Sequence, residues 1–100
     1  MGFTELAEAS VWNTTPPHLH ERRSEIYLYD GLSDTDVVIH LMGQPGKTRH
    51  LIVRNGEAVL SPPWSIHMGA GSSTYRFIWA MAGENKDFED MDPVALSTLR

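Results

Sequence analysis

The tightest constraint on this chain is its punctuation. Short β-rich runs are cut at near-regular intervals by turn signals. The runs are Ser24–Asp30 (SEIYLYD), Asp36–Met42 (DVVIHLM), Arg49–Arg54 (RHLIVR), Ala58–Ser61 (AVLS) and Thr74–Met81 (TYRFIWAM). Between them stand Asp30-Gly31, Gln44-Pro45-Gly46, Asn55-Gly56, Pro62-Pro63 and Gly69-Ala70-Gly71. Asn55-Gly56 is the strongest hairpin signal. Such spacing predicts an all-β fold, an antiparallel sandwich or barrel. Phe3–Thr15 is expected to form a strand pair reaching Trp12, despite the helix-like ELAEAS within it. Only the tail, Pro93–Leu99, reads as a short turn or helix.

One hundred residues make one domain, spanning 1–100. A domain of that size buries roughly 65 % of the surface its unfolded chain exposes, enough for a core without staples. The sequence has no cysteine, so disulfides and thiolate ligands are excluded. A bound metal must use histidine, carboxylate or backbone oxygen. Thirteen acids against 8 bases argue against a nucleic-acid partner. Val37–Met42 and Phe77–Ala82 are too short to span a bilayer, and no signal peptide shows. The expectation is a soluble, cytoplasmic domain.

The polar stretch PPHLHERRSEIY raises a question of chemistry. Residues two apart in a strand share a face, so His18 and His20 on a strand would project together. The alternation of the following strand puts Glu25, Tyr27 and Tyr29 on one face and Ile26 and Leu28 on the other. Across a hairpin the Glu25 carboxylate can return to the two rings. His67 lies in SPPWSIHMG, just before a glycine-rich segment. Three imidazoles and one carboxylate suit a borderline divalent ion: zinc, manganese, iron, nickel or copper. A lone His-x-His pair binds nothing in most proteins; the glutamate and the third histidine are what favour a site.

HLHERRSE fits the first cupin motif, His-x-His-x(4)-Glu. The second motif, Gly-x(5)-Pro-x-Gly-x(2)-His-x(3)-Asn, maps onto Gly56, Pro62, Trp64, His67 and Gly71, with Trp64 and Gly71 in place of the second glycine and the asparagine. The chain therefore resembles a single cupin jelly roll. The strings HERRSEIYLY, HLMGQPGKTRH, SPPWSIHMGAG and YRFIWAMAGENKDFEDMD resemble more specifically the C-terminal half of the 5-keto-4-deoxyuronate isomerase family. That resemblance implies a bicupin lacking its N-terminal cupin here, with one zinc held by His18, His20, Glu25 and His67, and a hexameric assembly. It also implies ketol-isomerase activity on a deoxyuronate from pectin or another uronan. The ion would polarise the substrate carbonyl, while a proton moves between neighbouring carbons or a hydride shifts directly. His50 and Tyr27 are the candidates for proton transfer.

Other residues carry competing readings. Arg49, Leu51 and Val53 share the inward face of one strand, where Arg49 can pair with a uronate carboxylate; a surface ion pair is the ordinary alternative. Trp64 flanks His67 and is the first choice among the aromatics for a sugar-facing residue, ahead of Tyr27, Tyr29, Tyr75, Phe77 and Trp79. His40 reads as packed or interfacial, Lys47 as solvated, and of Arg22 and Arg23 either one partners a ligand carboxylate or both face water. Asp87, Glu89, Asp90 and Asp92 read as a solvated acidic face. Several strands are apolar on both sides, which a lone sandwich has no use for. A homo-oligomer, dimer or larger, is expected. Two other functions compete: a metal-binding cupin scaffold without isomerase activity, and an iron or copper cupin dioxygenase.

Overall fold

A computed structural model describes residues 1–19, 23–83 and 92–100. Nine strands are present among them: β1 (Gly2–Glu5), β2 (Trp12–Leu19), β3 (Arg23–Asp30), β4 (Val38–Gln44), β5 (Lys47–Val53), β6 (Ala58–Ser61), β7 (Ile66–Gly71), β8 (Arg76–Gly83) and β9 (Asp92–Pro93). A single 3-10 turn, Leu96–Thr98, sits in the tail where a short helical piece was expected. The strands form two antiparallel sheets, ordered β1-β8-β3-β6 and β5-β4-β7-β2-β9. The fold is all-β and antiparallel, as the punctuation predicted, and jelly-roll-like, as the cupin resemblance implied.

Sequence neighbours almost never pair. Among the described residues, only β4 and β5 form a hairpin, with Gln44 opposite Lys47 across Pro45-Gly46. Every other link between successive strands carries the chain from one sheet to the other. This corrects two expectations. Asn55-Gly56 does turn the chain, with Gly56 at φ +79, a left-handed value that glycine adopts freely. The strands on either side of it, β5 and β6, then enter different sheets, so the turn closes no hairpin. The N-terminal strands β1 and β2 likewise exist but part company, β1 pairing with β8 and β2 with β7.

Gly69-Ala70-Gly71 is the third correction. It lies inside β7 rather than in a turn. A Cβ on Gly69 would run into the Asn13 carboxamide and stand 2.9 Å from the Tyr29 hydroxyl. The glycine serves a close approach between layers, one of the ordinary uses of glycine in a strand.

The inner faces meet in an aromatic core of Tyr27, Tyr29, Tyr75 and Phe77 with Leu32, Val38, Val53 and Val59. The ring centroids of Tyr29 and Tyr75 lie 5.6 Å apart, as do those of Tyr27 and Phe77. Both spacings fall in the favourable range for tilted aromatic pairs. His40 is buried in this core, its Nδ1 2.8 Å from the Tyr29 hydroxyl, while its Nε2 has no hydrogen-bond partner. Burial drives its pKa down to about 4. The packed reading of His40 is therefore the one the fold supports.

Candidate metal centre

Three strands from two sheets bring the polar cluster together. Strand β3 alternates strictly, so Glu25, Tyr27 and Tyr29 are buried while Ser24 and Ile26 face outward. Glu25 is 5 % exposed and Tyr27 4 %. In the other sheet His18 of β2 is the register partner of His67 of β7, and paired residues project to the same face. Facing Glu25 across the interior, the two imidazoles complete a triad. The His67 Nε2 lies 3.2 Å from the His18 Nε2 and 3.4 Å from the Glu25 Oε1. The three ligand atoms all fall within 4.8 Å of one another.

That spacing can be tested against an ion. Zinc ligands at about 2.05 Å in a tetrahedron are separated by about 3.3 Å along each edge. The two contacts of His67 match that edge. Two imidazole nitrogens at 3.2 Å, with a carboxylate beside them, also form a donor set that a cation between them would satisfy. The residues fit a divalent metal. On the far side of the ring, His67 Nδ1 lies 3.4 Å from the buried Ser61 hydroxyl, which orients the imidazole.

His20 and Arg22 lie outside the described residues, as do Asp87, Glu89 and Asp90. Tyr27 stands directly behind the cluster, its ring centroid 5.5 Å from that of His67. Burial, and then the negative charge of Glu25, pushes its pKa far above the ordinary phenol value. Tyr27 therefore keeps its proton and serves as a donor. A cavity of about 220 Å³ opens against the cluster, lined by Thr14, His18, Glu25, Tyr27, Phe77, Trp79 and Met81. Of the aromatics weighed from sequence, Tyr27, Phe77 and Trp79 face it. Thr14 and Met81 were missed; nothing in the local sequence marks either of them.

Two other expected residues stand elsewhere. His50 pairs with Leu41, one register step from the row Arg49, Met42, His67. Alternation sends its ring out of the opposite face of the sheet, and it is exposed. The structure does not bring His50 to the cluster. Trp64 is 56 % exposed and lines a separate groove of about 460 Å³ with Gly43, Gln44, Lys47 and Arg49. Arg49 does share the inward face with His67, two strands away, or about 10 Å at ordinary strand spacing. It is exposed there because β5 is an edge strand.

Comparison with known proteins adds the family context. A model of the KduI/IolB family matches residues 2–96. The chain is 65 % identical over 100 residues to a 4-deoxy-L-threo-5-hexosulose-uronate ketol-isomerase of Opitutus terrae. It is 58 % and 55 % identical to proteins of the same name from Kineococcus radiotolerans and Cereibacter sphaeroides. In each case the match covers 100 % of this chain and 36 % of the relative. The chain thus spans about a third of the length of those relatives and corresponds to their C-terminal part. Among the described residues, no helix is long and apolar enough to cross a membrane.

Proposed function

The chain belongs to the KduI/IolB family, and from that premise we propose that it is the metal-binding cupin of a ketol-isomerase acting on 5-keto-4-deoxyuronate in the breakdown of pectin and related uronans. The observation that carries this reading is the His18–Glu25–His67 cluster at metal-ligand spacing on the wall of a cavity. It occurs in a chain whose relatives are named for that isomerisation.

His18, Glu25 and His67 hold the ion, with His20 as the fourth ligand, and zinc is the ion of first choice. When bound, the ion supplies Lewis-acid stabilisation of negative charge developing on a substrate oxygen. The chain's own residues do the rest. Ketol isomerisation takes a proton from one carbon and returns it to its neighbour, while the carbonyl moves the other way; no oxidant or reductant is consumed. Tyr27, protonated and buried, donates a hydrogen bond to Glu25 and holds that carboxylate in place beside the ion. Phe77, Trp79 and Met81 exclude water and pack against the sugar-acid carbon chain. Arg49, with Lys47 and Trp64, anchors the carboxylate in the neighbouring groove, where a guanidinium offers two parallel hydrogen bonds.

The outer face of the four-stranded sheet supports an assembly. Phe3, Ile26, Leu60 and Ile78 lie on it, 60 %, 45 %, 71 % and 38 % exposed. We place a second copy of the chain against this face.

The test is to incubate the purified chain, with and without zinc, with the 5-keto-4-deoxyuronate and to follow the ketol product alongside bound metal. Stoichiometric zinc and zinc-dependent turnover are expected, with both lost in His18→Ala and His67→Ala. Full metal retention in both variants overturns the ligand set. Zinc bound without turnover leaves a metal-binding module and overturns the isomerase.

A further inference from the structure

Strand β2 does something unusual just before it delivers His18. Its register against β7 slips between Asn13 and His18. Within that stretch Thr14 sits at φ +58. This left-handed region is a habit of glycine and asparagine, and for a β-branched residue it is a genuine outlier. Outliers held in place by surrounding structure cluster at functional sites. Thr14 also lines the cavity shared by His18, Glu25 and Tyr27.

The hydrogen bonds around it assign its polarity. Asn13 is buried, 5 % exposed, and the Tyr75 hydroxyl donates to its Oδ1. The amide orientation is thereby set, and the Asn13 Nδ2 donates to the Thr14 Oγ1 at 2.8 Å. With that lone pair taken, the Thr14 hydroxyl proton must point elsewhere. The Tyr27 hydroxyl lies 3.5 Å from the Thr14 Oγ1. That exceeds a good O–H···O distance of about 2.7 Å, so Tyr27, whose own proton goes to Glu25, accepts only a long, weak bond from Thr14. The Thr14 hydroxyl, on the cavity wall and only weakly held by Tyr27, can turn its proton to a ligand there.

We propose that Thr14 is a substrate-binding residue: its hydroxyl donates a hydrogen bond to a carbonyl or carboxylate oxygen of a sugar acid seated beside the metal cluster, held in aim by the left-handed backbone and by the Tyr75–Asn13 relay. The identity of the ligand rests on the isomerase reading; the donor role does not.

The test uses the zinc-loaded chain and D-galacturonate as probe, with binding followed by titration calorimetry and folding by thermal melts. Thr14→Ser keeps the hydroxyl and should bind within about twofold of the wild type. Thr14→Ala and Thr14→Gly remove it and should bind about tenfold more weakly or worse, as loss of a hydrogen bond to a charged or strongly polar oxygen predicts. Glycine suits the backbone at this position, so Thr14→Gly reports even if the alanine variant fails to fold. Wild-type affinity in either hydroxyl-free variant, equal loss in Thr14→Ser, or no saturable binding by the wild type overturns the proposal. If the variants differ as expected while the wild type turns over no 5-keto-4-deoxyuronate, the isomerase reading falls and the Thr14 assignment stands.

Discussion

Lowering the pH should destabilise this domain through a single buried ring. His40 is fully enclosed, bonded at one nitrogen to Tyr29 and at the other to nothing. Its pKa falls from 6.5 to about 4 because burial penalises the imidazolium. The unfolded chain accepts the proton from pH 6.5 downward while the folded chain refuses it. Stability is therefore intact above pH 6.5 and declines as pH drops toward 4, below which the loss saturates. The saturated loss is about 3 kcal/mol, and about 2 kcal/mol of it has gone by pH 5. For a domain of this size that lowers Tm by roughly 10 °C between pH 7 and pH 5. Asp30, held low mainly by its hydrogen bond from Arg76, and Asp36, held low by the Ser33 and Ser72 hydroxyls, titrate beneath this window. Urea or thermal melts of wild type and His40→Gln, both stripped of metal by chelator, isolate the effect. Contributions from the other titratable groups are common to both proteins and cancel in the difference. The wild type should lose about 2 kcal/mol more than the variant between pH 7 and 5; equal losses would refute the reasoning.

Three further tests address other parts of the molecule. Gly69→Ala forces a methyl against Asn13 and the Tyr29 hydroxyl and should cost about 2 kcal/mol of unfolding free energy; a melt within 0.5 kcal/mol (roughly) of wild type would remove the close-approach argument. Leu60→Lys charges the most exposed large residue of the apolar outer face and should shift sedimentation toward a smaller species; an unchanged profile rejects that face as the contact. Arg49→Ala should raise KM for the uronate about tenfold or more with kcat changed far less, as loss of a carboxylate clamp predicts; an unchanged KM removes Arg49 from the site.

What the sequence disclosed was mostly local. Alternation in SEIYLYD put Glu25, Tyr27 and Tyr29 on the inner face, and they are there. Pro45-Gly46 and Gly56 both turn the chain. Which strands then meet is a matter of the whole topology, so Asn55-Gly56 read as a hairpin although its two strands belong to different sheets. Gly69 illustrates the opposite difficulty: a glycine demanded by Asn13 and Tyr29 above it looks, in one dimension, like a glycine demanded by a turn. At the site, His18, Glu25 and His67 were legible because their side chains are chemically rare and motif-spaced. Thr14 was not, since a common residue becomes notable only through its φ. His50 lies on the opposite face of its sheet, and Trp64 lines a neighbouring groove rather than the cavity beside His67, for a related reason. Nearness along the chain to His67 or Arg49 says little about which groove or sheet face a ring enters.

Strand β3 faces two environments at once, with the acid and phenols of the cavity on odd positions and Ile26 and Leu28 on even ones. It has neighbours on both edges, β8 and β6, so its frame is fixed from either side. Inserting or deleting one residue within it would exchange the two sets, thrusting a carboxylate into the greasy exterior and an isoleucine among the histidines. Length changes in this lineage should therefore be absent from the strand, whatever else drifts.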